Sequence, residues 1–83
     1  MSKQTPEAIQ EWIIDQICEL TDLEASEIHP EEPFASYGLD SMSTVTLVGD
    51  LEEWLGLRLA ATLLWDYPTI DALSVYLAEL SAD

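Results

Sequence analysis

Residues 40–56 have the sequence DSMSTVTLVGDLEEWLG, which predicts a helix with a defined start and a defined end. Asp40 is a favourable N-cap whose negative charge suits the positive end of a helix, and Gly56 stands where helices commonly stop. At about 100° per residue, one face gathers the expected core residues, which are Thr44, Leu47, Val48, Leu51, Trp54 and Leu55. The opposite face, expected to be exposed to solvent, gathers Met42, Val45, Thr46, Gly49 and Glu53.

A first helix is predicted upstream of this segment. Thr5 can cap it, and Pro6 falls at the first helical position, where a missing N–H costs nothing. The apolar residues that share one stripe of this helix are Ile9, Ile13, Ile17 and Leu20.

Two more helical segments are predicted after Gly56. A short one is expected from Ala61 to Trp65, and Pro68-Thr69 opens a final helix. The apolar stripe of the final helix contains Ile70, Leu73, Tyr76, Leu77 and Leu80.

Residues 21–40 are predicted to form a long connection, because Pro30, Pro33 and Gly38 interrupt any helical pattern. Its apolar residues are expected to pack on the core, and they are Leu23, Ile28, Phe34, Tyr37 and Leu39. The predicted fold class is therefore all-α, a bundle of three main helices plus one short helix, with a long first loop. The 83 residues suit one domain, residues 1–83, with a core of about 6–80.

The composition is strongly acidic, with 17 acidic residues against two basic ones and a formal net charge of −15. Phosphate backbones would repel this surface, so nucleic-acid binding is not expected. The same field would steer the chain toward basic patches on partners, although solubility alone is the simpler explanation. The start of the chain has no apolar region typical of a signal peptide, and the apolar runs are too short to span a bilayer. We expect a cytoplasmic monomer that does not bind membranes.

The segment Gly38-Leu39-Asp40-Ser41-Met42 places a serine at the start of a helix, directly after a glycine-bearing loop. A helix N-terminus offers unpaired N–H groups and a positive dipole end, so an anion attached at Ser41 would be stabilised. On local chemistry alone, a second interpretation stays open, in which Asp40 and Ser41 are only a capping pair.

Other candidate sites are weaker. His29 is the only histidine and cannot build a metal site alone. Cys18 has no partner cysteine, and the serine context is not the G-x-S-x-G of hydrolases. The three tryptophans, Trp12, Trp54 and Trp65, are expected in the core or at its rim.

Three segments carry a resemblance to one family. Gly38-Leu39-Asp40-Ser41 resembles the phosphopantetheine attachment motif of acyl carrier proteins, and Leu51-Glu52-Glu53-Trp54-Leu55-Gly56 is also similar to that family. Asp66-Tyr67-Pro68-Thr69-Ile70-Asp71-Ala72-Leu73 resembles the start of the last helix in polyketide-synthase carrier domains. The likeness runs from about Ile9 to Leu80, so the chain is identified as a member of the acyl carrier protein family, polyketide-synthase type.

The resemblance implies a non-catalytic carrier. A phosphopantetheinyl transferase would move 4′-phosphopantetheine from coenzyme A to Ser41, next to the motif residue Asp40, and its thiol would hold acyl groups as thioesters. The implied partners are that transferase and acyl-loading, condensing or modifying enzymes with basic docking patches. The resemblance places docking on the second helix, at the positions already expected to be exposed: Met42, Val45, Thr46, Gly49 and Glu53. Relatives often carry a bulkier residue in place of Gly49 and an acidic one in place of Thr46.

Two alternatives stay open. The first is a peptidyl carrier protein of nonribosomal peptide synthesis, although Leu39-Asp40 before the serine favours the acyl type. The second is an acidic protein-interaction module that is never modified.

Overall fold

The computed structural model describes residues 5–60 and 62–81, and in these ranges the chain is helical with no β-strand. The helices are α1 (Pro6–Thr21), α2 (Ser41–Leu55), α3 (Leu63–Asp66) and α4 (Ile70–Ser81). Two 3₁₀ turns, Ala25–Glu27 and Phe34–Tyr37, lie between α1 and α2. The predicted all-α class, with three main helices and one short helix, is confirmed.

Helix α1 begins and ends as its terminal residues dictate. The hydroxyl of Thr5 accepts a hydrogen bond from the Ala8 amide at 3.1 Å, and Pro6 occupies the first turn. At the other end Asp22 adopts a left-handed conformation (φ 65°), which directs its N–H to the Cys18 carbonyl at 3.2 Å. The predicted stripe is buried at Ile9, Ile13 and Ile17, while Leu20 is half-buried.

Helix α2 stops at Gly56, whose φ of 68° is the left-handed conformation that glycine adopts without steric cost. The Gly56 amide donates to the Glu52 carbonyl at 2.8 Å. The Glu52 side chain in turn accepts from the Leu59 amide at 2.7 Å, which fixes the chain as it leaves the helix.

The core is one cluster built around the facing stripes of α1 and α4. Helix α4 contributes Ile70, Leu73 and Leu77, each with no exposed surface, and the stripe is confirmed at these positions. Leu80, in the last turn of α4, is 41% exposed, so its predicted place in the core stripe is wrong. A hydrogen bond of 2.6 Å from Gln10 Nε2 to Asp71 Oδ1 joins the two helices outside the apolar seam.

The connection between α1 and α2 packs on the core, as its apolar residues predicted. Ile28, Phe34 and Tyr37 are buried. The Tyr37 hydroxyl donates to the His29 carbonyl at 2.5 Å and accepts from the His29 amide at 3.1 Å. The Phe34 amide donates to the Pro68 carbonyl at 2.8 Å, which ties this connection to the segment before α4.

Helix α3 is a single turn that begins at Leu63, and the predicted first residue, Ala61, lies outside the described residues. Leu63 and Leu64 are buried, which turns Trp65 outward, where it is 81% exposed. The expectation that Trp65 packs in the core or at its rim is therefore wrong. Trp12 and Trp54 do pack at the rim, stacked with ring centroids 4.8 Å apart.

Candidate functional site at the start of α2

The backbone before α2 is bent so that Ser41 becomes the first residue of the helix. Tyr37 is buried, and Gly38 follows it in the left-handed conformation (φ 73°) that a side chain would disfavour. Leu39 packs against the core, and Asp40 is extended. Ser41 then starts α2 with its side chain exposed to solvent.

Asp40, and not Ser41, caps the helix. Asp40 Oδ1 accepts a hydrogen bond from the Ser43 amide at 2.8 Å. Hydrogen bonds from the Ser43 backbone, and then from its side chain, lower the pKa of Asp40 below the ordinary value of 3.8. The carboxylate is therefore charged at neutral pH, at the positive end of the helix dipole.

Ser41 differs from the other serines of residues 11–77. Ser26 and Ser36 are exposed but lie within the 3₁₀ turns, where no α-helix N-terminus supports an attached anion. Ser43 is half-buried, and Ser74 is fully buried with its hydroxyl donating to the Ile70 carbonyl. Of these five serines, Ser41 alone is exposed at the first residue of an α-helix.

Apolar side chains surround this position on the outside of the molecule. Met42 is 79% exposed and Val45 is 57% exposed, as their place on the outward face of α2 predicts. Trp65 is an exposed residue that the sequence did not predict, because a one-turn helix has no periodic stripe that marks its inward face. The adjacent pair Leu63-Leu64 was the available signal, since two buried neighbours turn the next residue outward.

The rest of the predicted docking face is less uniform. Thr46 and Glu53 are exposed, whereas Gly49 is half-buried. A Cβ atom built on Gly49 would meet no heavy atom within 4 Å, so the fold itself does not require a glycine there.

A groove of about 340 Å³ opens beside the start of α2. Leu39 and Thr44, which flank Ser41 in sequence, line it together with Leu64 and Trp65 of α3. The other lining residues are Pro33, Phe34 and Ala35, at the second 3₁₀ turn, and Pro68, which lies before α4. Leu39 and Thr44 therefore place this mainly apolar groove next to the first turn of α2.

The weaker candidates gain no chemical support. The pKa of the Cys18 thiol is raised, first by burial and then by the negative charge of Asp15, which disfavours the reactive thiolate. Within residues 5–60 and 62–81, no group of three or more His, Cys, Asp or Glu side chains could hold a metal ion. In the same part of the chain, no helix is long and apolar enough to cross a membrane.

Comparison with known protein families gives one match over most of the chain. Residues 11–77 match the phosphopantetheine attachment site family, and this range contains the α2 start described above.

Two relatives illustrate the range of proteins that contain this domain. The chain is 35% identical over 74 residues to acyl carrier protein TtuC of Teredinibacter turnerae, which covers 89% of this chain and 85% of that protein. It is 34% identical over 70 residues to a phenolphthiocerol/phthiocerol polyketide synthase of Mycobacterium tuberculosis, covering 84% of this chain and 4% of that protein. The chain thus spans most of the first relative and a small part of the second.

Solved structures agree in fold. A free-standing peptidyl carrier protein from Acinetobacter baumannii aligns with a TM-score of 0.89 and 38% identity, over 94% of this chain and 98% of that one. Asl1650, an acyl carrier protein from Anabaena, aligns with a TM-score of 0.86 and 39% identity, over 99% and 93%. The chain therefore belongs to the phosphopantetheine-binding carrier family, whose members bear 4′-phosphopantetheine covalently and serve synthases as non-catalytic components.

Proposed function

We propose that this chain is an acyl carrier protein of polyketide or fatty-acid-type biosynthesis, with residues 1–83 as one carrier domain and Ser41 as its attachment residue. The observation that carries this proposal is the exposed Ser41 at the first position of α2, inside the matched range 11–77. The attached arm supplies a thiol that holds an acyl group as a thioester.

The residues at the start of α2 fit a phosphodiester. Ser41 Oγ forms the new bond to phosphorus and loses its proton, while the adenosine bisphosphate of coenzyme A leaves. The first turn of α2 contains no acidic residue, and its N–H groups and dipole favour the added negative charge. The Asp40 carboxylate is held on the Ser43 amide by its capping bond, so the cap survives whether or not Ser41 is modified.

Partner enzymes must approach the surface that surrounds Ser41. Met42 and Val45 offer apolar contact, and the exposed Trp65 extends that surface onto α3. We propose that phosphopantetheinyl transferase and acyl-loading, condensing or modifying enzymes dock here through basic patches. A net charge of −15 favours such partners and speeds their association.

The acyl type is favoured by sequence and by relatives. Leu39-Asp40 stands before the serine, and the relatives named above are an acyl carrier protein and a polyketide synthase. The groove beside Ser41 adds an apolar surface that suits a hydrocarbon chain.

A peptidyl carrier protein is the second candidate, because a free-standing protein of that type aligns with a TM-score of 0.89. An experiment can distinguish the acyl type from the peptidyl type. The protein bearing phosphopantetheine is incubated with a malonyl-transferring acyltransferase and, separately, with an amino-acid-activating adenylation enzyme. Thioester mass from the first enzyme alone supports the acyl type, and mass from the second alone contradicts it.

The attachment residue is tested by intact mass after incubation with coenzyme A and a broad-specificity transferase. Wild type should gain the mass of one phosphopantetheine group, and Ser41→Ala should gain none. Ser43→Ala is the matched control, because this serine lies two residues away in the same helical turn and should not affect loading. Loading of Ser41→Ala, or failure of Ser43→Ala alone, would contradict the assignment.

A further inference from the structure

The outward face of α4 is unlike the outward face of α1. On α1 the exposed residues opposite the core are all acidic: Glu7, Glu11, Asp15 and Glu19. On α4 the exposed residues include Ala72 and Val75, and Val75 is 50% exposed. The α4 face therefore combines exposed apolar side chains with carboxylates, whereas the exposed α1 face is acidic throughout.

This α4 face contains a groove of about 550 Å³. Its lining includes Tyr67 and Tyr76, whose rings stack with centroids 4.2 Å apart. The remaining lining residues are Asp71, Ala72, Val75 and Glu79. The groove shares no lining residue with the groove beside Ser41.

Charged and apolar side chains alternate along one row of α4 residues that line the groove. Asp71, Val75 and Glu79 follow one another at four-residue intervals, which places them in line on the helix surface. The row therefore presents a carboxylate, an aliphatic side chain and a second carboxylate over about 12 Å, at 1.5 Å per residue. The bond from Gln10 Nε2 to Asp71 Oδ1 holds the first carboxylate in place.

We infer that this α4 groove is a second docking surface, which binds a helix of a partner protein bearing basic, aliphatic and basic side chains in one four-residue row. Two cations at that spacing pair with Asp71 and Glu79, and the aliphatic residue between them packs on Val75. The adjacent tyrosine rings add a surface on which an arginine guanidinium can stack. A second copy of this acidic chain does not supply such a row, because it has only Lys3 and Arg58 as cations.

This docking surface would hold a partner on residues that do not line the groove beside Ser41. The inference therefore goes beyond the proposed carrier function and does not depend on it. We expect a partner bound at α4 to leave Ser41 accessible to an enzyme that acts on the carried group.

The test uses a synthetic, alanine-rich helical peptide in which Arg, Leu and Arg occupy successive positions of one four-residue row. A control peptide of identical composition places these three residues on different faces. Binding is measured by fluorescence anisotropy, and the contact is mapped by amide chemical-shift changes in the isotopically labelled protein. The row peptide should shift the amides of Ala72, Val75 and Glu79 and should bind more tightly than the control peptide.

Variants separate this groove from general attraction to an acidic protein. Val75→Lys and Glu79→Lys should each weaken binding of the row peptide about tenfold, because each places an ammonium group against the cationic row. Glu11→Lys makes the same change in net charge as Glu79→Lys, but on the outward face of α1, and should change affinity by less than about twofold. All three positions are exposed, and circular dichroism checks that each variant stays folded.

Three results would overturn the inference: equal binding of the two peptides, equal weakening by Glu11→Lys and Glu79→Lys, or shifts confined to residues outside α4. Phosphopantetheine loading is measured in parallel on Val75→Lys. Normal loading with weakened peptide binding is the expected result, and it separates this surface from the Ser41 site. A loading defect in Val75→Lys would contradict two independent surfaces.

Discussion

At the scale of single residues, Asp40 and Ser41 have different roles at the start of α2. This difference bears on the interpretation in which the two residues are only a capping pair. The capping bond at 2.8 Å comes from Asp40, while Ser41 occupies the first helical position with an exposed side chain. The helix start therefore does not need the serine hydroxyl as its cap. A group attached at Ser41 Oγ would not use the capping oxygen, because that oxygen belongs to Asp40.

The lowered pKa of Asp40 gives a pH-dependent prediction for Asp40→Ala. A carboxyl group whose folded-state pKa is depressed adds stability above its unfolded pKa, and it loses this contribution as pH falls through the folded value. Because the pKa of Asp40 lies below 3.8, wild type should have a higher melting temperature than Asp40→Ala at pH 7. This difference in melting temperature should shrink below about pH 4.

Thermal melts followed by circular dichroism at neutral and acidic pH measure this difference. Asp40→Asn is the control, because asparagine also caps helices but carries no titrating charge. A difference between wild type and Asp40→Ala that stays constant down to about pH 3 would show that Asp40 does not act through its charge.

At the scale of elements, α2 has two faces with opposite tolerance to charge. Val45 is 57% exposed and Leu51 has no exposed surface. Val45→Glu should slow acyl transfer by a cognate enzyme while leaving the melting temperature nearly unchanged. Leu51→Glu should unfold the domain, because it buries a charge with no partner. Circular dichroism shows whether each variant stays folded, and a transfer assay measures acyl transfer by the cognate enzyme. A melted Val45→Glu beside a folded Leu51→Glu would reverse the face assignment.

Gly49 provides a second prediction for α2. Glycine inside a helix costs about 0.5–1 kcal/mol relative to alanine, and an added Cβ here meets no heavy atom within 4 Å. Gly49→Ala should therefore raise the melting temperature by a few degrees. Gly56→Ala is the matched control and should lower it, because φ is 68° at that position. A lower melting temperature for Gly49→Ala would mean that the glycine serves the fold.

The helices whose ends are set locally were predictable from the sequence. Thr5-Pro6 starts α1, and Asp40 and Gly56 bracket α2, because caps act through bonds within one turn. The 3₁₀ turns before α2 were not predictable, because their conformation depends on residues that are distant in sequence. One such contact is the hydrogen bond from the Phe34 amide to the Pro68 carbonyl. The prediction for Trp65 failed because Leu63 and Leu64 occupy the inward side of the one-turn helix α3, which leaves the next residue exposed.

At the scale of the whole molecule, the dominant feature is a net charge of −15 on a molecule whose radius of gyration is only 11.7 Å. The Debye length is about 10 Å at 0.1 M salt, so most pairs of surface charges repel at low ionic strength and are screened at moderate ionic strength. We therefore expect the melting temperature to rise between low salt and about 0.2 M salt.

Melts in two monovalent salts at equal ionic strength test this, since screening depends on ionic strength and not on the identity of the cation. Glu11→Gln, exposed on the outward face of α1, makes the net charge less negative and should reduce the salt dependence. A melting temperature that is flat or falls with added salt would show that self-repulsion does not limit stability.

The central claim is that Ser41 is the residue that carries phosphopantetheine. The most direct measurement is fragment-ion mass spectrometry of the wild-type chain after loading from coenzyme A and digestion after acidic residues. We expect the added mass in fragments that contain Ser41, and we expect none in those that contain only Ser36 or only Ser43. The added mass on either of those serines, or no added mass on any fragment, would contradict it.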